Sequence, residues 1–489
     1  MSRDEGTASW SWPLLTDLYE LTMAFGYWQQ RLSERRAVFH LSYRKNPFGG
    51  RFAVACGLGD VCHMLDAYRF DNSDLAYLAS LRGADSKPLF PPAFLDYLEK
   101  LRFGCDVDAI EEGTVVQANT PMLRVEGPLL QAQILESALL NCINFQTLVA
   151  TKAARICSAA RGRPVLEFGL RRAQGVNGAL AASRAAYIGG CAATSNVLAG
   201  KMLGIPVRGT HAHSWIMCFA DELSAFTAYA QAQPGNCIFL VDTYDTKTGV
   251  RHAIAAAKEL AAQGHRAIGI RLDSGDLATL SREARQLLDQ AGLSEMKIVA
   301  SNDLDEHEIA ALWERGAAID IFGVGTRLVT AYDQPALAGV YKLAALQDEH
   351  GNWDYKMKLS EQAAKVSTPG ILQVRRLLRA GRPIGDIVYD RAIGMTTPAA
   401  IFPGGRQAIT LDAVDEQHDL LVPVYRAGRR VYDLPALGTL RERTIGQLEQ
   451  FRDWVENRES APQYPVGYEP GLWQRQQSLQ QALKASARR

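Results

Sequence analysis

Ile238-Phe239-Leu240-Val241-Asp242, the alanine-rich stretch Ala253 to Ala262, and Ala267-Ile268-Gly269-Ile270-Arg271-Leu272-Asp273 together decide the fold. The two apolar runs have strand length and end in charged residues, and the stretch between them carries helical spacing. The same unit recurs on both sides. Val165-Leu166-Glu167-Phe168 and Ile205-Pro206-Val207 precede it, while Lys297-Ile298-Val299-Ala300 and Ile319-Asp320-Ile321-Phe322-Gly323-Val324 follow, with Leu277 to Leu288 as a further helical stretch. A β/α series at intervals of roughly 20 to 40 residues, with polar residues gathered after each strand, predicts a parallel α/β barrel with its active site on the carboxyl side of the strands. A doubly wound open sheet is the alternative arrangement.

The flanks read differently. Ile110 to Leu129 mixes short strands with the turns Glu112-Gly113, Asn119-Thr120-Pro121 and Gly127-Pro128, which predicts a separate β-rich amino-terminal domain. Beyond Leu346 charges become denser, and Thr368-Pro369-Gly370 and Pro403-Gly404-Gly405 supply turns between short strands. The final segment, Gln474 to Arg489, reads as a basic helix. The expected organisation is an amino-terminal α+β domain over 1–145, a catalytic barrel over 146–345, and a segment over 346–489 that packs on the amino-terminal domain.

At 489 residues the chain exceeds one core of roughly 100 to 200 residues, so two or three units are expected. Its 53 basic and 53 acidic residues cancel, which argues against a nucleic-acid face or an anionic membrane surface and for small-molecule partners. The first residues lack an apolar signal core, and no apolar run of about 18 residues occurs. Eight cysteines are scattered without a Cys-x-x-Cys pair, as in reduced thiols. A cytoplasmic location is the expectation.

Chemistry concentrates after the strands. Gly209-Thr210-His211-Ala212-His213-Ser214 follows Ile205-Pro206-Val207. If the strand continued, alternation would turn both imidazoles toward one ligand or one metal, whereas either histidine alone is more often a hydrogen-bonded structural residue. Glu167-Phe168-Gly169-Leu170-Arg171-Arg172 offers a glycine turn and two guanidinium forks suited to phosphate oxygens. Asp242 and Asp245 end one strand, and Arg271, Asp273 and Asp276 end another. Convergent carboxylates near arginines suggest a magnesium-bound polyphosphate, with Asp276 the best candidate for a helix cap instead. Ser301-Asn302-Asp303 follows a later strand, and Gly323-Val324-Gly325-Thr326-Arg327 places amides where barrels hold phosphate.

With these motifs assembled, the chain resembles the nicotinate phosphoribosyltransferases, which join nicotinate to phosphoribosyl pyrophosphate (PRPP). The resemblance also uses Leu15-Thr16-Asp17-Leu18-Tyr19-Glu20-Leu21-Thr22-Met23, Gly339-Val340-Tyr341-Lys342-Leu343 and Met357-Lys358-Leu359-Ser360. It implies an irregular barrel, a β-rich amino-terminal domain and a homodimer in which the first motif of one subunit closes the other's site. Tyr19 would stack on the pyridine ring with Phe168 on the opposite face. Asp17 and Ser214 join the substrate-binding set. Thr210 and Arg271 would contact nicotinate, Gly325 and Thr326 the ribose phosphate, and Arg171 a phosphate. Asp242 and Asp273 would serve the ribose and the Mg2+–pyrophosphate region. His213 would be phosphorylated by ATP, whose hydrolysis pulls a reversible transfer toward product; His213, Arg271 and Asp273 are the implied catalytic residues.

The related nicotinamide enzyme places an aspartate in the stretch that corresponds to Ala193-Thr194-Ser195-Asn196-Val197. Here Ser195 stands there, and a hydroxyl can donate to nicotinate's carboxylate where an aspartate would repel it. Quinolinate would call for a further basic cluster, which is not evident. From another class, a zinc hydrolase would use His211 and His213 as ligands, but none of the later histidines follows a predicted strand end. A catalytically dead barrel would not be expected to retain every polar loop.

Overall fold

A computed structural model describes residues 10–360, 366–395, 399–401, 409–410, 414–455 and 463–486. The turn at Pro403-Gly404-Gly405 lies outside them. The chain divides into two compact units, one formed by Met1–Thr147, Ala336–Pro435 and Gly446–Arg489, the other by Leu148–Pro335 with Ala436–Ile445.

The first unit is built mainly on antiparallel strands, with Val466–Tyr468 pairing in parallel to Arg382–Asp390. A seven-stranded sheet runs in the order Trp353–Tyr355, Gly339–Gln347, Arg36–Tyr43, Pro121–Pro128, Asp106–Ile110, Leu421–Arg426, Arg429–Arg430. Strands from both ends of the chain therefore share one ladder, with Leu421 opposite Ile110 and Ala37 opposite Leu346. A four-stranded sheet places Leu372–Arg379 and Arg382–Asp390 between Glu416–Asp419 and Val466–Tyr468. The tail also carries a helix at Leu437–Gln450, where the density of charges and turns predicts only short strands and loops, and one at Pro470–Ser486 that contains most of the helix expected from Gln474 onward.

The second unit holds a parallel sheet of six short strands: β1 (Val165–Glu167), β2 (Ala193–Thr194), β3 (Ile238–Leu240), β4 (Gly269–Leu272), β5 (Lys297–Ala300) and β6 (Ile321–Val324). Their order is β2-β1-β6-β5-β4-β3. β3 is buried throughout and β5 at all but its first residue, as strands covered on both faces must be. The intervening helices bury one stripe each. In α1 (Thr246–Ala262) it is Gly249, Val250, Ala253, Ala256, Ala257 and Leu260, and in α2 (Leu277–Gln290) Leu277, Ala278, Ser281, Ala284 and Leu288.

The six-stranded ladder does not close into a ring: β2 and β3 stand at its two ends. Ile205-Pro206-Val207, expected as a strand, makes a single parallel bridge, Val207 to Thr194. Pro206 has no N–H to give a ladder. Where β3 would meet the next strand, the Leu240 N–H is taken at 3.2 Å by the His211 side chain, through Nε2. An imidazole thus caps the sheet edge where a backbone carbonyl would continue it.

Short-range capping fixes the start of α1 but not of α2. Asp245 accepts from Thr248 N at the start of α1. Asp276 occupies the N-cap position of α2 as expected, but makes no cap hydrogen bond there; both its oxygens accept from Arg315 Nη2 at 2.6 Å. One segment of the carboxyl-terminal third belongs to this unit. From it, Arg441 donates to the carbonyls of Cys191 (2.9 Å) and Gly190 (3.0 Å) and lies over the Tyr187 ring.

Candidate active site

Because the six strands are parallel, the residues that follow them emerge at one edge of the sheet. Arg271, near the end of β4, organises that edge. Its Nη1 donates to Thr210 Oγ1 at 2.8 Å, Nη2 to Asp273 Oδ1 at 2.9 Å, and Nε to Ser301 Oγ at 2.8 Å. Ser301 also donates to Asp273 Oδ1. The guanidinium lies over the Phe168 ring, 5.9 Å from its centre.

Asp242, after β3, reaches across to β4's loop: its Oδ2 accepts from the Asp273 N–H at 2.9 Å and from Ser274 Oγ at 2.5 Å. Its Oδ1 is buried without a hydrogen-bond partner. His213 begins the short helix His213–Met217. Its Nδ1 lies 3.1 Å from Thr243 Oγ1 and its Nε2 3.7 Å from Asp273 Oδ2. Burial raises the Asp273 carboxyl, but the Arg271 charge and the bonds from Ser301 and Arg271 outweigh it and hold the group below the usual carboxylate range.

The two histidines part company. His211 is buried between Phe226 and Tyr229, with Leu240 N–H on its Nε2 and Ala212 O 3.4 Å from Nδ1. Burial pushes it down to about 4, and the Arg271 and His213 charges act the same way. Both nitrogens are occupied by the protein, so His211 is not available to a ligand or a metal. The strand continuation that would have turned both rings one way does not exist, since the chain becomes helical at His213. Among the described residues no group of three or more His, Cys, Asp or Glu is placed to hold a metal ion.

Phe168 is positioned by its N–H to Val324 O at 2.8 Å, and its ring edge fills the space beside Gly323, where a Cβ would stand 2.6 Å from Cε2. Gly325 precedes the helical turn begun by Thr326, and Arg327 ties that turn to Asp305 at 2.5 Å. Asp305 in turn caps the helix Glu306–Glu314 through His307 N and Glu308 N.

The structure brings Phe168, Thr210, His213, Asp242, Arg271 and Asp273 into linked contacts. It leaves Arg171 and Ser214 exposed, and Ser195 half-buried with its N–H on Glu167 O at 2.9 Å. Tyr19 and Asp17 stand in the other unit, on and just before the helix Leu18–Gln29; Asp17 accepts from Ser137 Oγ, and burial with the Glu136 charge raises the Tyr19 phenol. Thr243 and the role of Ser301 were not singled out by sequence. Their signal was position alone, directly after a strand.

Family models for the nicotinate phosphoribosyltransferase N-terminal domain, the family itself and its C-terminal domain match residues 14–144, 164–354 and 403–476. The Bacillus subtilis nicotinate phosphoribosyltransferase is 40% identical over 473 residues, covering 94% of this chain and 93% of that protein. The chain belongs to the nicotinate phosphoribosyltransferase family. The human family member is 35% identical across 97% of both chains. A crystal structure of human nicotinic acid phosphoribosyltransferase superposes with a TM-score of 0.83 at 32% identity, over 95% of this chain and 99% of that one. The family's fold here is a mixed α/β one with a parallel sheet.

Proposed function

We propose that this member of the nicotinate phosphoribosyltransferase family transfers the phosphoribosyl group of PRPP to nicotinate, forming nicotinate mononucleotide and pyrophosphate in NAD salvage. The observation that carries the reading is the Arg271-centred network, which joins the loops after three strands and the Thr210 segment at one sheet edge. The pyridine nitrogen attacks the anomeric carbon as the bond to pyrophosphate breaks. Positive charge grows on the ribose and negative charge on the leaving group, so the protein's tasks are alignment and exclusion of water. Phe168 offers the ring a face, and Thr210 with Arg271 a hydroxyl and a cation. Gly325 and Thr326 offer amides and a hydroxyl to the ribose phosphate. Arg171 is assigned to phosphate, Ser195 and Ser214 to polar substrate contacts.

The residues present fit a magnesium ion. Asp242 Oδ1 is a buried carboxylate oxygen with no donor, and magnesium takes one or two carboxylates with substrate oxygens completing its shell. Asp242 and Asp273 would hold it, where its charge offsets that of departing pyrophosphate.

ATP is the co-substrate. His213 takes its terminal phosphoryl group, an N–P bond forming as the bond to ADP breaks, and water later cleaves N–P to release phosphate. Accessibility of His213, 41% exposed at the side chain, and the Asp273 carboxylate near Nε2 support this role. A homodimer with shared sites is the proposed assembly: Leu18, Tyr19 and Met23 leave an apolar face exposed on one helix. Mixing Tyr19→Ala with His213→Ala protein should restore part of the activity; no recovery after subunit exchange counts against sharing. Among the described residues no helix is long and apolar enough to cross a membrane, and a cytoplasmic site of action is the proposed location.

The test is a product assay with PRPP, Mg2+ and nicotinate or nicotinamide, with and without ATP. Nicotinate mononucleotide is expected, with strong preference for the acid; no product, or equal kcat/KM for the two pyridines, refutes the reading.

A further inference from the structure

One buried carboxylate has no part in the chemistry above. Glu167 is the last residue of β1 and 1% exposed. An acid so placed is tolerated only when its oxygens are fully served by donors. Its Oε1 accepts from the Gly169 N–H, and its Oε2 accepts from Ser183 Oγ at 2.9 Å and Thr194 Oγ1 at 2.5 Å. Thr194 Oγ1 in turn accepts from the Asn196 N–H at 2.9 Å, and the Glu167 carbonyl accepts from Ser195 N at 2.9 Å.

These bonds sit on either side of two residues assigned above to the substrate. Phe168 lies between Glu167 and Gly169, so the bond from Gly169 N fixes the turn that aims its ring. Ser195 lies between Thr194 and Asn196, and its own N–H is held by Glu167. One side chain with its carbonyl thus sets the turns after β1 and β2 relative to each other. We propose that Glu167 is a positioning residue that couples Phe168 to Ser195 and thereby sets the width and register of the pyridine pocket, so that it determines affinity for nicotinate and discrimination against nicotinamide. This rests on the reading under Proposed function.

Glu167→Gln keeps the size of the side chain, but its single carbonyl can serve either the Gly169 N–H or the two hydroxyls, not both. Thr194→Val keeps the carboxylate and removes its hydroxyl partner with little change of shape. Both are to be measured for KM of nicotinate, KM of PRPP, kcat, the nicotinate-to-nicotinamide ratio of kcat/KM, and thermal melting. The expected result is a rise of about tenfold in nicotinate KM, as for a lost hydrogen bond of ordinary strength, with kcat within about threefold, PRPP KM unmoved and the ratio lowered. If Glu167→Gln does not fold, Thr194→Val decides alone. Folded variants with wild-type nicotinate KM and ratio, or with kcat lost at unchanged KM, overturn the inference while leaving the activity standing. Wild-type protein that forms no nicotinate mononucleotide overturns the activity and the inference together.

Discussion

Nε2 of His211 accepts the backbone N–H of Leu240 at 3.2 Å, so a side chain completes the hydrogen bonding of an edge strand. That bond requires an unprotonated Nε2, which leaves the proton of the neutral ring on Nδ1, facing Ala212 O.

Acid should therefore loosen the parallel-sheet unit. His211 titrates at about 4 when folded, against roughly 6.5 in an unfolded chain, so the unfolded state binds the extra proton first. Its contribution is complete above about pH 6.5 and lost as pH falls through 4, on the order of 3 kcal/mol in all. Denaturant midpoints between pH 7 and pH 4 should fall less steeply for His211→Gln than for wild type. Equal slopes would remove His211 from acid sensitivity.

Gly323→Ala should weaken nicotinate binding without unfolding the protein. The added methyl meets the outer edge of the Phe168 ring, a side chain able to swing, rather than backbone. Nicotinate KM is expected to rise about tenfold, with loss of up to about 1.5 kcal/mol of edge and stacking energy. An unchanged KM would place the pyridine away from Phe168.

Asp242→Asn should raise the magnesium concentration at half-maximal rate about tenfold, because the orphaned Oδ1 either loses its charge or becomes a donor. Titrating activity with MgCl2 measures this, and an unaltered half-point would assign the ion elsewhere.

His213→Ala should lose stimulation by ATP while retaining some PRPP-dependent transfer. Incubation with ATP labelled at its terminal phosphate should mark wild-type protein and not the variant. Equal stimulation of both would take His213 out of the phosphoryl step.

Much of this was legible in the chain. Apolar runs ending in Asp242, Asp273 and Gly325 declared parallel strands and the edge at which chemistry gathers, because strand length and charge placement are local properties. β2 escaped notice since two residues, Ala193 and Thr194, carry no period. Ile205-Pro206-Val207 has the apolar character of a strand but makes one bridge, because Pro206 lacks the donor a longer ladder needs. The division of labour between His211 and His213 was hidden too: it depends on Leu240, 29 positions away. Sequence favours Asp276 over Asp245 as a cap, yet Asp245 is the one whose side chain caps, because Arg315, which claims Asp276, lies 39 residues downstream.

The Arg441 strut has a bearing on how this protein can be handled. Its guanidinium supports two carbonyls immediately upstream of β2, so a chain truncated near residue 435 would lose a brace from the catalytic half while appearing to shed only an appendage. The catalytic half is not a continuous stretch that can be excised and studied alone, and chimeras made between relatives will need to exchange Arg441 together with the Gly189-Gly190-Cys191 bend.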